Sequence, residues 1–204
     1  MHDYSIDKHP KEKVLFFLAL FAITAAPIIK DLAEYLVSLL EVSTGWSSAP
    51  VVAVPVFGLF AGLYFLFDKY LWKISWLRRA LLVPDLNGKW RCNGHTILKN
   101  AAPVDHDWNA TISITQSWSK ILIHLKTSQS ESKSISASIY HEAGVGYRLL
   151  YQYNNQPNAN ELDLNNHSGS GELLFTEDTA FASGSYYTDR HRTTVGTMKL
   201  ERDK

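Results

Sequence analysis

The stretch LFDKYLWKISWLRRALLVPDLNGKW, residues 66–90, changes solvent along its length. It begins as uncharged hydrocarbon, passes through a basic and aromatic segment, and ends on the first strand of a polar domain. The long apolar runs all precede it, whereas the chain after it is rich in Ser, Thr, Asn, Tyr and Trp and punctuated by Gly. The sequence therefore divides into a membrane region, residues 1–84, and a soluble domain, residues 85–204. The 20 basic and 20 acidic side chains are balanced in both parts, which argues against a sequence-independent hold on a nucleic acid duplex and leaves a compact ligand open. Cys92 is the only cysteine, so no internal disulfide can form and a cytosolic soluble domain is expected.

Working back from residue 66, no charge occurs between Val42 and Phe67, a run of 26 residues that is too long for an ordinary globular helix. Pro50 suits a helix start, and Gly58 and Gly62 form a small-x-x-x-small pair of the kind that lets two helices approach closely. Further upstream, VLFFLALFAITAAPII, Val14–Ile29, is uncharged for 16 residues, and Lys30 can snorkel to lengthen the span. Helical spacing continues through DLAEYLVSLLEV, with a kink expected near Pro27. Two transmembrane helices follow, at about residues 12–38 and 50–70. Lys8, Lys11 and Lys13 precede the first span, and Lys69, Lys73, Arg78 and Arg79 follow the second. By the positive-inside rule both termini face the cytoplasm, with the loop around Glu41–Ser48 outside. Tyr70, Trp72 and Trp76 supply an interfacial aromatic belt.

Downstream of Pro84 the apolar period becomes two. WNATISITQ puts Trp108, Ala110, Ile112 and Ile114 on one face; Ile121, Ile123 and Leu125, then Ile135, Ala137 and Ile139, repeat the pattern. With KWRCNG, YRLLYQYN, GELLF, FASGSYY and RTTVGTMKL this makes about eight short strands. The expected domain is all-β, an eight-stranded lipocalin-like up-and-down antiparallel β-barrel. NGKW, Asn87–Trp90, is similar to the Gly-x-Trp opening of such barrels, with Lys199 or Arg202 on the last strand to cover the tryptophan.

Up-and-down topology gathers alternate strand ends at one rim. Because the first strand leaves the membrane linker, its far end and its neighbours define a distal mouth. The candidate ligand-binding residues there are Arg192, Arg190, Tyr151, Tyr153, Tyr187, Trp108, Lys126 and Thr194. Arginine offers a fork for phosphate, and aromatic rings offer platforms for bases. No metal site is expected, since Asp105, His106 and Asp107 lack a second ligand pair at diagnostic spacing. No P-loop, GxSxG, HExxH or paired-cysteine signature is present, so no catalytic residue and no cofactor are expected.

Two apolar runs, Val14–Ile29 and Val51–Phe67, the linker LLVPDLNGKW and the strands WNATISITQSWSKILIHLKTS together resemble the transmembrane β-barrel effectors of cyclic-oligonucleotide-based antiphage signalling, CBASS. The resemblance covers essentially the whole chain. It implies a non-enzymatic effector whose barrel binds a cyclic dinucleotide made by a cGAS/DncV-like nucleotidyltransferase. It further implies oligomers that disrupt the bacterial inner membrane, ending in abortive infection. Two other classes remain open from the residues alone: a membrane-tethered carrier of a small apolar ligand, which would need an aliphatic cavity, and an enzyme using His95, His106 or His191.

Overall fold

The computed structural model describes residues 1–7, 10–44, 56–99, 102–161, 164–190 and 193–203. They fall into two compact units, one of residues 10–72 and one combining residues 1–9 with 73–204. The sequence places its single boundary between residues 84 and 85. The structure instead assigns both flanks of the apolar region to the barrel unit.

The membrane unit contains α1 (Lys11–Thr44) and α2 (Val56–Lys69), which lie against each other. At about 1.5 Å per residue α1 is about 51 Å long, and over Lys11–Leu32 it is long and apolar enough to cross a membrane. It continues through Pro27 without interruption of the helix. The expected second span, 50–70, is described only from Val56, and Pro50 lies outside the described residues. On α1 the buried positions are Ala22 and Ala26, one turn apart, small enough to allow a close helix approach. Gly58 and Gly62 are exposed instead, and a Cβ added at Gly62 would meet open space.

A 3₁₀ turn, Leu71–Lys73, follows α2, and the barrel unit then opens with the short helix α3 (Ser75–Leu81). The turn and α3 are not legible in the basic and aromatic pattern, which lacks a full amphipathic period. Leu82 ends α3 in the left-handed conformation, φ 53°. Tyr70 and Trp76 are exposed as a headgroup belt requires, but Trp72 is fully buried and takes no part in one.

Ten strands follow the chain: β1 (His2–Asp3), β2 (Ser5–Ile6), β3 (Gly88–Lys99), β4 (Ala102–Gln116), β5 (Lys120–Lys126), β6 (Ser130–Glu142), β7 (Gly146–Pro157), β8 (His167–Phe175), β9 (Phe181–Thr188) and β10 (Val195–Arg202). The eight long strands, β3 to β10, pair antiparallel with their sequence neighbours, and β10 returns to β3, as an up-and-down barrel demands. All eight coincide with the strands read from the period-two pattern. One face assignment differs. A register shift between Ser134 and Ser136 inserts an extra residue, so Ser132 and Ser134 point inward and Ile135 turns out to solvent, while Ala137 and Ile139 recover the inward phase.

Trp90 plugs the membrane-proximal end. It is fully buried, and its indole N–H donates to the Leu86 carbonyl at 3.1 Å. Phe175 meets it edge-on at 5.0 Å, and the Arg202 guanidinium lies 4.6 Å over its ring while donating to the Asp85 carbonyl. Arg202 is thus the covering base of the Gly-x-Trp motif; Lys199 faces outward. Above this plug the core is aliphatic, with Ile112, Ile114, Ile121, Ile123, Ile139, Leu149, Leu173, Met198 and Leu200 around Cys92.

The barrel closes in two ways at its last seam. Next to their hairpin β5 and β6 pair directly, through His124, Leu125 and Lys126 with Lys133, Ser132 and Glu131. Below, the strands part and the N-terminal residues fill the gap: β1 runs antiparallel to β5, and β2 runs parallel to β6. Tyr4 and Ile6 bury their side chains there. The sequence gives no sign of this strap, because two-residue strands leave no period to read.

Strap and linker meet at Gln116, the last residue of β4. Its side-chain amide donates to the Tyr4 hydroxyl at 3.0 Å and to the Pro84 carbonyl at 3.1 Å, while its oxygen accepts the Leu86 N–H at 2.9 Å. One buried side chain therefore binds the segment before α1 to the segment after α3. Gln116→Leu would remove three buried hydrogen bonds and is expected to cost on the order of 3 kcal/mol, read as a lower urea midpoint of the full chain in detergent. Burial pushes the Cys92 thiol up to about 12, so at pH 8 it stays protonated and iodoacetamide should label it only as the barrel unfolds.

Candidate functional site at the distal lumen

The inward face changes character halfway along the barrel. Above the aliphatic layer it is built from Thr96, Trp108, Leu125, Ser132, Ser134, Tyr151, Tyr153, Asn155, Tyr186, Thr188 and Thr194, with glycines between them. Among the described inward-facing residues of this half, none is charged. Burial raises the Tyr151 hydroxyl well above the usual tyrosine range, so both it and its ring act as neutral surfaces.

The glycines explain how aromatic rings line so narrow a space. Trp108 pairs across the ladder with Gly94, Tyr151 with Gly171, Tyr153 with Gly169, and Tyr186 with Gly196. In each pair the ring lies over the glycine: a Cβ at Gly94 would sit 2.1 Å from the Trp108 indole, and one at Gly171 would sit 2.5 Å from the Tyr151 ring. Four rings are thus laid against the wall. Two are also fixed by polar contacts, since the Tyr186 hydroxyl is 2.8 Å from the Thr96 hydroxyl and accepts the Trp108 N–H at 3.2 Å.

Asn155 stands nearest the mouth on β7. Its amide nitrogen donates to the Ser130 hydroxyl at 3.1 Å, but its side-chain oxygen is buried without a hydrogen-bond partner. A buried acceptor left unpaired costs about 1–3 kcal/mol, which makes it a position that a donor on a ligand would relieve. Asn155, Ser132, Ser134 and Tyr186 are not among the sequence-derived binding candidates, although strand-end topology brings Ser134 and Tyr186 to the distal mouth. Parity along β7 could have found Asn155, and the register shift in β6 hid the inward phase of Ser132.

The sequence-derived candidates separate by face. Trp108, Tyr151, Tyr153 and Thr194 line the distal lumen. Arg190 is exposed in the β9–β10 turn at the rim, and Arg192 lies outside the described residues. Lys126 and Tyr187 point outward, because each is one residue out of phase with the inward set of its strand. Tyr187 instead lines an open groove of about 470 Å³ on the outer face of β6 to β9, with Ser136, Leu150, Gln152, Ser170 and Ser185. Of the histidines weighed for catalysis, His95 bonds Asp107 at 2.8 Å on the outer face, His106 is exposed, and His191 lies outside the described residues.

Residues 81–202 match the family described as Cap15, cyclic dinucleotide receptor domain, and residues 12–73 match Cap15, TM helices. The chain belongs to the Cap15 family. It is 43 % identical over 145 residues to CD-NTase-associated protein 15 of Yersinia aleksiciae, an overlap of 71 % of this chain and 68 % of that one. The expected resemblance to CBASS transmembrane effectors therefore holds, and the barrel corresponds to the family's cyclic dinucleotide receptor domain. The matched stretches leave out residues 1–11 and 74–80, which carry the strap and most of α3.

If the glycines are what keep the rings against the wall, Gly171→Ala must drive the Tyr151 ring into the lumen. The expected cost is about 1–3 kcal/mol of overpacking, measured by urea unfolding, with a changed near-ultraviolet tyrosine dichroism in the folded state.

Proposed function

We propose that the distal lumen binds a cyclic dinucleotide made by a partner nucleotidyltransferase. Binding favours assembly of several copies, which disrupt the bacterial inner membrane and end in abortive infection. The observation that carries the reading is the polar, ring-lined half of the lumen with its unpaired Asn155 oxygen. Bases stack on flat aromatic surfaces at about 1–3 kcal/mol each, and the Asn155 oxygen accepts from a base N–H or ribose hydroxyl. Because the described lumen wall has no cation, the phosphodiesters belong at the rim, where Arg190 supplies a guanidinium group. Lys126 and Tyr187 contribute only from outside the mouth. A carrier of an apolar ligand is disfavoured, since the distal half of the interior is hydroxyl-rich and ring-lined rather than aliphatic.

The strap supports a hairpin topology independently of the positive-inside argument. Residues 2–6 belong to the barrel, and the chain re-enters the barrel after α3. The segment between must cross the membrane an even number of times. With basic residues flanking both ends, the barrel and both ends of the hairpin face the cytoplasm.

The test is equilibrium binding of the full chain in detergent to a panel of cyclic dinucleotides, with Asn155→Leu and Arg190→Ala alongside. One member should bind below micromolar, and each substitution should weaken it about tenfold, equivalent to about 1.4 kcal/mol. No binding to any member, or binding indifferent to both substitutions, would remove the lumen as the site.

A further inference from the structure

The strap is the one part of the barrel wall that does not come from the receptor stretch, and it is attached by little. Its two strands contribute two residue pairs each. Beyond these it is held by the Tyr4 and Ile6 side chains, the Tyr4 hydroxyl bonds, the Asp7 N–H to the Ile139 carbonyl at 2.9 Å, and a contact of 2.7 Å between His2 Nε2 and the Ser134 hydroxyl. Segments with few buried contacts open at a fraction of the free energy of the whole fold. The neighbouring strands meet on their own only beside the hairpin, and the Ile123 N–H goes to the Ser134 hydroxyl rather than to a ladder carbonyl.

Both ends of the strap matter. Through His2 it touches Ser134, which faces Tyr153 across the β6–β7 ladder on the wall of the distal lumen. Five residues past Ile6, α1 begins at Lys11. The strap thus joins the lumen to the first membrane helix by a path shorter than the one through the Trp90 plug and the linker.

We propose that residues 2–6 are a latch. Seated, they close the seam and keep the chain that leads into α1 tethered to the barrel wall. Released, they free α1 and bare the facing edges of β5, around Lys120–Leu122, and β6, around Ser138–Tyr140. Bare strand edges pair with other strand edges, and the partner here is a second copy of this chain, whose membrane helices confine it to the same plane. This inference rests on the assembly step of the proposed function and adds the element that gates it.

Asp3 and Lys120 are ladder partners with exposed side chains, Nζ to Oδ1 3.9 Å apart, so a disulfide between Asp3→Cys and Lys120→Cys would bolt the latch without entering the lumen. The buried Cys92 does not compete. The full-length double variant is reconstituted in dye-loaded vesicles and exposed to the same cyclic dinucleotide panel. The oxidised form should bind as the reduced form does yet neither assemble nor release dye, and reductant should restore both. Dye release from the oxidised form equal to that of the reduced form overturns the latch. Should the parent chain bind no member of the panel, the functional reading fails, and the latch is decided by hydrogen exchange on the resting chain. The Asp7 amide and the β5 amides facing the strap should then exchange together about 100-fold faster than those of β8 and β9; equal protection overturns it.

Discussion

Everything in the barrel unit hangs on the hydrogen bonds of one buried amide. Gln116 sits at the proximal end of β4 with 3 % of its surface exposed. It has the one side-chain type that can donate twice and accept at once in that space. Its acceptor side fixes Leu86, and Leu86 in turn supplies the carbonyl that orients Trp90. Its donor side fixes Tyr4 and Pro84, the chain entering and the chain leaving the membrane segment. Asn87 completes the arrangement by accepting the Gln116 backbone N–H at 2.7 Å. The closed end of the barrel, the linker and the seated strap are consequently tied together through one side chain.

That rigidity at one end contrasts with the composition of the other. Below the midpoint the lumen is filled by branched aliphatic residues at the density expected of a protein interior. Above it, glycines under the rings remove volume from the wall, so the rings lie close against it. A barrel of eight strands encloses little room, and this alternation of ring and glycine is how a small barrel can present aromatic faces without filling itself with them. The polar contacts among Thr96, Trp108 and Tyr186 hold two of those faces in place before any ligand arrives.

The eight long strands were readable because apolar and polar residues alternate along most of each, and the Trp90 motif was readable because glycine, tryptophan and a late arginine are fixed in spacing by barrel closure. What escaped was whatever broke the period. The extra residue shifts the phase of β6, so Ile135, expected inward, faces solvent and Ser132 and Ser134 face the lumen. Tyr186 and Tyr187 are adjacent, and only the pairing of Tyr186 with Gly196 decides which of them faces in. Lys126 reads as a mouth residue because it ends a strand, yet its parity with Leu122 and His124 turns it outward. The turn and helix of the linker and the strap are too short to generate any pattern.

The strap also sets an order on biosynthesis. Residues 2–6 are made before the rest of the barrel, and their partners on β5 and β6 follow more than a hundred residues later, with His2 and Ser134 separated by 132 positions. The apolar helices emerge in between and are committed to the bilayer while the seam does not yet exist. Contacts this distant in sequence form late, because their loop-closure entropy must be offset by structure already present. A newly made chain therefore carries its apolar helices for an interval beside an unfinished barrel, whose seam is sealed only when residues 2–6 reach β5 and β6.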